Sequence, residues 1–72
     1  MEFLIVEFED DCGVIMNGAI GAWRTNQTLQ FQAGTYVATL DLPPGRFTPP
    51  QVRFILQNTA PGRPMMIAFQ AP

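Results

Sequence analysis

The stretch Thr28–Leu42, TLQFQAGTYVATLDL, reads as two strands joined at a glycine corner, and its reading decides the fold class. Over Thr28–Gln32 apolar and polar residues alternate, with Leu29 and Phe31 on one side and Thr28, Gln30 and Gln32 on the other. After the turn Gln32-Ala33-Gly34-Thr35 the alternation resumes, and Tyr36, Ala38, Leu40 and Leu42 share a face. A period of two is the mark of a half-buried strand, because successive side chains leave a pleated backbone on opposite sides. No helix-length stretch of the chain carries the apolar spacing of three and four that an amphipathic helix needs. The expectation is an all-β protein.

Working outward, the same pattern recurs on both sides. Upstream, Phe3–Glu9 gives a first strand with Leu4, Val6 and Phe8 on one face, while Phe3 and Ile5 give way to Glu7 and Glu9 on the other. Cys12–Met16 is a second strand with Val14 and Met16 inward, closed by Asn17-Gly18, a strong hairpin signal because both residues tolerate positive φ. Downstream, PPGRFTPP separates Leu42 from a strand at Gln51–Gln57, where Val52, Phe54 and Leu56 alternate with Gln51, Arg53, Ile55 and Gln57, and APGRP precedes a last strand at Met65–Phe69. Proline has no amide donor for a ladder, so both proline clusters read as loops rather than as ligands for aromatic grooves. Short strands at this spacing predict a small six- to seven-stranded β-sandwich, or a partly open barrel, of short antiparallel strands in one domain over residues 1–72. The residues after Gly18, which include the only tryptophan, Trp23, read as a loop.

Val14-Ile15-Met16-Asn17-Gly18, then Gly21 and Thr25, then Leu29, Phe31 and Ala33-Gly34-Thr35-Tyr36, and finally Pro44-Gly45-Arg46-Phe47 resemble the strand and turn pattern of PEGA-like β-sandwich domains. The resemblance covers nearly the whole chain and rests on turn chemistry and alternation. It departs at Gly21–Asn26, which is two residues longer than the family's usual Gly-x-Thr-Pro and lacks the proline, and at Cys12-Gly13, where the family favours Gly-Ala. The resemblance implies a non-catalytic scaffold or interaction module, often carried inside larger surface or signalling proteins, and brings no catalytic residue with it.

Composition excludes much. With no histidine, lysine or serine, the chain has no Ser-His-Asp, Cys-His or Schiff-base machinery. Cys12 has no His or Lys to lower its thiol pKa, and reads as structural. Zinc sites need several Cys or His ligands, which leaves only hard oxygen-liganded cations. Glu7, Glu9, Asp10 and Asp11 form an acidic corner, but without the glycine-punctuated loop of a calcium site, so no metal and no cofactor is expected. The same carboxylates as an acid and base pair for glycoside cleavage make an accessory hydrolase the weakest reading, since so small a sandwich offers little cleft. Gly18-x-x-Gly21 lacks the third glycine and following helix of a phosphate cradle. A net charge of −2 with four scattered arginines argues against nucleic acid. The run Phe3–Val6 is far too short to cross a bilayer, and if Met1 is the native start the expected location is the cytoplasm. The glycosylation triplet Asn26-Gln27-Thr28 is discounted for want of a secretion signal.

Binding remains. Hydrophobic residues make up 47% of the chain and charged residues only 14%, against about 25% charged in an ordinary soluble domain. If the faces above point inward, then Phe3, Ile5, Ile15, Val37, Ile55 and Met66 point outward, an apolar set that something is expected to cover. The first reading is therefore a structural module that self-associates or packs into a larger assembly through an outer face or edge. The alternative is a module that binds a carbohydrate or peptide, with Trp23 and Tyr36 stacking on it. Trp23 with Arg24 beside it is the expected partner anchor, and a cap on one open end of the sandwich is its rival role.

Overall fold

The computed structural model describes all 72 residues, Met1–Pro72. Seven strands follow one another with no helix: β1 Glu2–Glu7, β2 Gly13–Met16, β3 Ala19–Arg24, β4 Thr28–Phe31, β5 Gly34–Leu40, β6 Val52–Leu56 and β7 Met65–Ala68. They form two sheets, one of three strands in the order β4-β1-β7 and one of four in the order β3-β2-β5-β6. The faces picked out by alternation are the ones that meet. Leu4, Val6, Phe8, Leu29, Ile67 and Phe69 from the smaller sheet pack with Val14, Met16, Ala38, Leu40, Phe54 and Leu56 from the larger in one buried cluster, which Cys12 joins at the rim.

Two features differ from the sequence reading. All pairings are antiparallel except β1 with β7, which run parallel with Leu4 opposite Met65 and Val6 opposite Ile67. A parallel neighbour needs a crossover, and the chain supplies it in the larger sheet and the proline-bounded links that lie between the two strands. The other difference is β3. Ala19–Arg24 is an edge strand, not a loop, so Trp23 sits on a strand. Its alternation is hard to see because its inward positions are Ala19, Gly21 and Trp23, two of which have almost no side chain.

The hairpin at Asn17-Gly18 is as expected, with φ of 52° and 77° at its two central residues. Asn17 ties the hairpin to the next strand as well, since its amide donates to Val37 O at 2.8 Å and its side-chain Oδ1 accepts from Val37 N at 2.8 Å. Beyond the hairpin the ladder slips. From the pair Ile15–Ile20 to the pair Gly13–Arg24 it moves two residues along β2 and four along β3, so β3 carries two extra residues in a bulge around Gly21–Trp23. Past the bulge, Thr25 locks the corner: its amide donates to Cys12 O, and its hydroxyl donates to Asp10 O at 2.7 Å and accepts from Cys12 N at 3.0 Å. It is the one buried polar side chain, and these bonds satisfy it.

Candidate functional site

Trp23 lies where β3 bulges. It is half-buried and packs against the core, and a Cβ placed on Gly21 would stand 3.1 Å from each of Cε2, Cε3 and Cη2 of its ring. Three atoms spaced around the six-membered ring are equidistant from that point, so the ring face lies over the glycine. The indole is also tilted at 53° against Phe31, with centroids 5.2 Å apart. Phe31 in turn packs on Tyr36 at 5.5 Å and 53°, and Tyr36 on Phe54 at 6.0 Å and 26°. This row crosses from the larger sheet at Trp23 to the smaller at Phe31 and back, closing one side of the sandwich. The Tyr36 hydroxyl is held by Gln32 O at 2.6 Å. A sugar ring needs a flat exposed face to stack on, whereas these rings are mostly tilted against one another and one face of Trp23 is covered. The arrangement is that of packing at the sandwich rim. Arg24, on the opposite side of β3, is an exposed residue whose Nε donates to Asp11 Oδ1 at 3.0 Å, and this bond and charge push its pKa further up.

The acidic corner does not assemble into a site. No three Asp, Glu or Cys side chains gather as a metal-holding group, and Asp11 is engaged by Arg24. Cys12 is buried, and loss of hydration pushes its thiol pKa up despite the Thr25 hydroxyl hydrogen-bonded at its amide, so the sulfur stays protonated. Asn26 of the glycosylation triplet is taken: its Nδ2 donates to Phe8 O at 2.8 Å and its Oδ1 accepts from Phe8 N at 3.2 Å. A glycan on that nitrogen would break this clasp.

The one cleft, of about 300 Å³, lies under the proline loop and is lined by Leu40, Leu42, Pro44, Phe47 and Pro50 with Thr39 and Gly45. It contains no titratable side chain, and the Thr39 hydroxyl already donates to Pro50 O at 2.7 Å. Such a cleft holds no titratable group for acid–base chemistry, and its one hydroxyl, on Thr39, has no base beside it.

The remaining surface feature is the pair of outer faces. On the smaller sheet Ile5 stands between Thr28 and Met66, with Phe3 and Glu7 on either side of it along β1. Met66 is 49% exposed; Phe3 and Ile5 are half-buried. On the larger sheet Ile15 stands between Ile20 and Thr39, and Val37 is opposite Arg53 while Ile55 is opposite Thr35. Ile20 and Ile55 are 72% and 56% exposed, while Ile15 and Val37 are half-buried. The period-two reading names every apolar residue here except Ile20, because β3, with Ala19, Gly21 and Ala22 around it, offers no clear alternation. Set beside known proteins, the chain matches no protein family, no curated protein and no solved structure.

Proposed function

We propose that this protein is a non-catalytic structural module that associates with itself or within a larger assembly through its outer sheet faces. The observation that carries the reading is that three large apolar side chains, Ile20, Ile55 and Met66, stand 72%, 56% and 49% exposed on a small domain, Ile20 beside Ile15 and Met66 beside Ile5 on their faces. A monomer of this size has little reason to hold such side chains in water. A standard interface hides about 800 Å² per partner, under a fifth of the 4479 Å² surface, so one face suffices. The resemblance to PEGA-like domains points the same way, since it implies a scaffold. The carbohydrate- or peptide-binding alternative has less support, because the rings it would use are tilted into the core rim.

Sedimentation equilibrium at micromolar concentration tests the proposal. The expected result is a mass above the 8.0 kDa of one chain, reduced by Ile55→Asp or Met66→Asp without loss of melting temperature. A wild-type chain that remains monomeric at the highest attainable concentration would overturn it.

A further inference from the structure

The two outer faces are not equivalent. The face of the smaller sheet, with Phe3, Ile5 and Met66, carries one charged residue among its paired positions, Glu7, which lies directly opposite Ala68 and next in line to Ile5. The face of the larger sheet, with Ile15, Ile20, Val37 and Ile55, carries Arg53 against its apolar patch, directly opposite Val37 and two residues from Ile55. Its other charges, Arg24 and Asp41, stand at the far end, on either side of Gly13: Arg24 is paired with Gly13 in the ladder, and the Asp41 amide donates to Gly13 O at 2.9 Å. Arg24 is already bound to Asp11 in the only ion pair of the molecule, so Glu7 and Arg53 have no internal partner. Beside the apolar patch of each face thus stands one charge without an internal ion pair, negative on the smaller sheet and positive on the larger, while the larger sheet's other unpaired charge, Asp41, lies at the far end.

Resting on the self-association proposed above, we propose that the partner is a second copy of this chain and that the copies stack head to tail, the three-stranded face of one on the four-stranded face of the next, with Glu7 meeting Arg53. Charge complementarity selects this arrangement. Two three-stranded faces meeting about a two-fold axis put two Glu7 carboxylates into one interface with no arginine to pair either of them, so both charges stay unmatched at the contact. Two four-stranded faces put two Arg53 groups into one interface, where only Asp41 at the far end of the face can match them, and they leave the other apolar face uncovered. The head-to-tail contact covers both faces with one interface. Such a contact is heterologous, so it builds a ring or an open stack rather than a closed dimer. Face-to-face sheets pack about 10 Å apart, so each chain adds two layers to the stack.

Charge reversal tests it, with far-UV circular dichroism confirming that each variant folds; both side chains are exposed. Glu7→Arg and Arg53→Glu, each alone, are expected to weaken self-association at least about tenfold, which is about 1.4 kcal/mol. The double variant, and an equimolar mixture of the two single variants, are expected to restore assembly to within about threefold of wild type, because every junction then again joins opposite charges. Wild-type mass is expected to rise past two chains with concentration. A plateau at a dimer, or single variants that the double change and the mixture do not rescue, would overturn the head-to-tail stack while leaving self-association standing. In particular, rescue of Arg53→Glu by Asp41→Arg in place of Glu7→Arg would assign the contact to two four-stranded faces. A wild-type monomer would overturn both.

Discussion

The Asn17-Gly18 hairpin and the Gly21–Trp23 bulge lie three residues apart on one ribbon, and each depends on a glycine for a different reason. Gly18 is needed for its backbone: its φ is 77°, and a Cβ there would meet nothing within 4 Å. Gly21 is needed for its missing side chain, since a Cβ there would press on the indole face of Trp23 at 3.1 Å. A local conformational requirement is stated by two adjacent residues and can be read from them. A steric requirement is stated by whatever comes to lie on top, and here that is a ring two residues on, wedged by Phe31 from the other sheet.

The largest effect is expected at the bulge. Removing the indole by Trp23→Ala empties the space between Gly21 and Phe31 and opens the rim, at a cost of about 3 kcal/mol, which for so small a domain lowers Tm by at least about 12 °C. Gly21→Ala approaches the same contact from below: the new methyl must displace the ring, so tryptophan emission shifts to the red. A Trp23→Ala protein with unchanged Tm and lost self-association would break the comparison, because Trp23 would then serve a partner and not the fold.

The hairpin is expected to respond less. Gly18→Val places a β-branched residue at positive φ and costs about 1 to 2 kcal/mol through the backbone alone. Gly18→Asn, whose side chain tolerates that region, keeps nearly the wild-type Tm. Thermal unfolding of the two variants separates conformational strain from crowding, and equal losses for both would show that something other than φ makes Gly18 necessary.

The same division accounts for what was legible in the sequence. Six strands and their inward faces followed from a period of two, and Leu4, Val6, Val14, Met16, Ala38, Leu56 and Ile67 are all buried as that period requires. What it could not convey was pairing across distance: the parallel match of β1 with β7 and the seating of Phe31 between Trp23 and Tyr36 are set by how the two sheets close over one another. β3 was illegible because alanine and glycine at its inward positions erase the alternation. Its exposed Ile20 went unseen for the same reason, although the rest of the candidate interface, Phe3, Ile5, Ile15, Ile55 and Met66, followed directly from the strands that could be read.

Acid distinguishes these two regions from a third. Neither Asn17-Gly18 nor Gly21–Trp23 contains a titratable side chain, but Glu2 Oε1 accepts from the Thr59 amide at 2.8 Å and from its hydroxyl at 2.7 Å, and the Phe3 amide donates to that same hydroxyl. The Thr59 amide, followed by the Thr59 hydroxyl, holds the Glu2 pKa below its ordinary 4.5. A carboxyl whose pKa is lowered on folding adds stability above its unfolded pKa and loses it as pH falls through the lower folded value. The wild-type Tm is therefore expected to drop below about pH 4.5 by more than that of Glu2→Gln, with the difference largest near neutral pH. Parallel acid profiles for the two proteins would show that the clasp contributes nothing.

The smallest effect is kinetic, and it ties the comparison to Cys12. This thiol is buried, burial pushes its pKa up, and its backbone is bonded to Thr25, two residues past Trp23. A protonated, covered sulfur reacts slowly with a thiol reagent, at a rate set by how often its corner opens. Opening that corner separates Thr25 from Cys12 and frees the end of β3, where Trp23 holds the strand down. The Asn17-Gly18 turn lies at the other end of β2 and is fastened separately, through Asn17 to Val37. Trp23→Ala is therefore expected to speed labelling of Cys12 more than Gly18→Val does, even when denaturant brings the two variants to the same global stability. Equal labelling rates at matched stability would mean that the thiol is reached only through global unfolding, and that hairpin and bulge open as one unit.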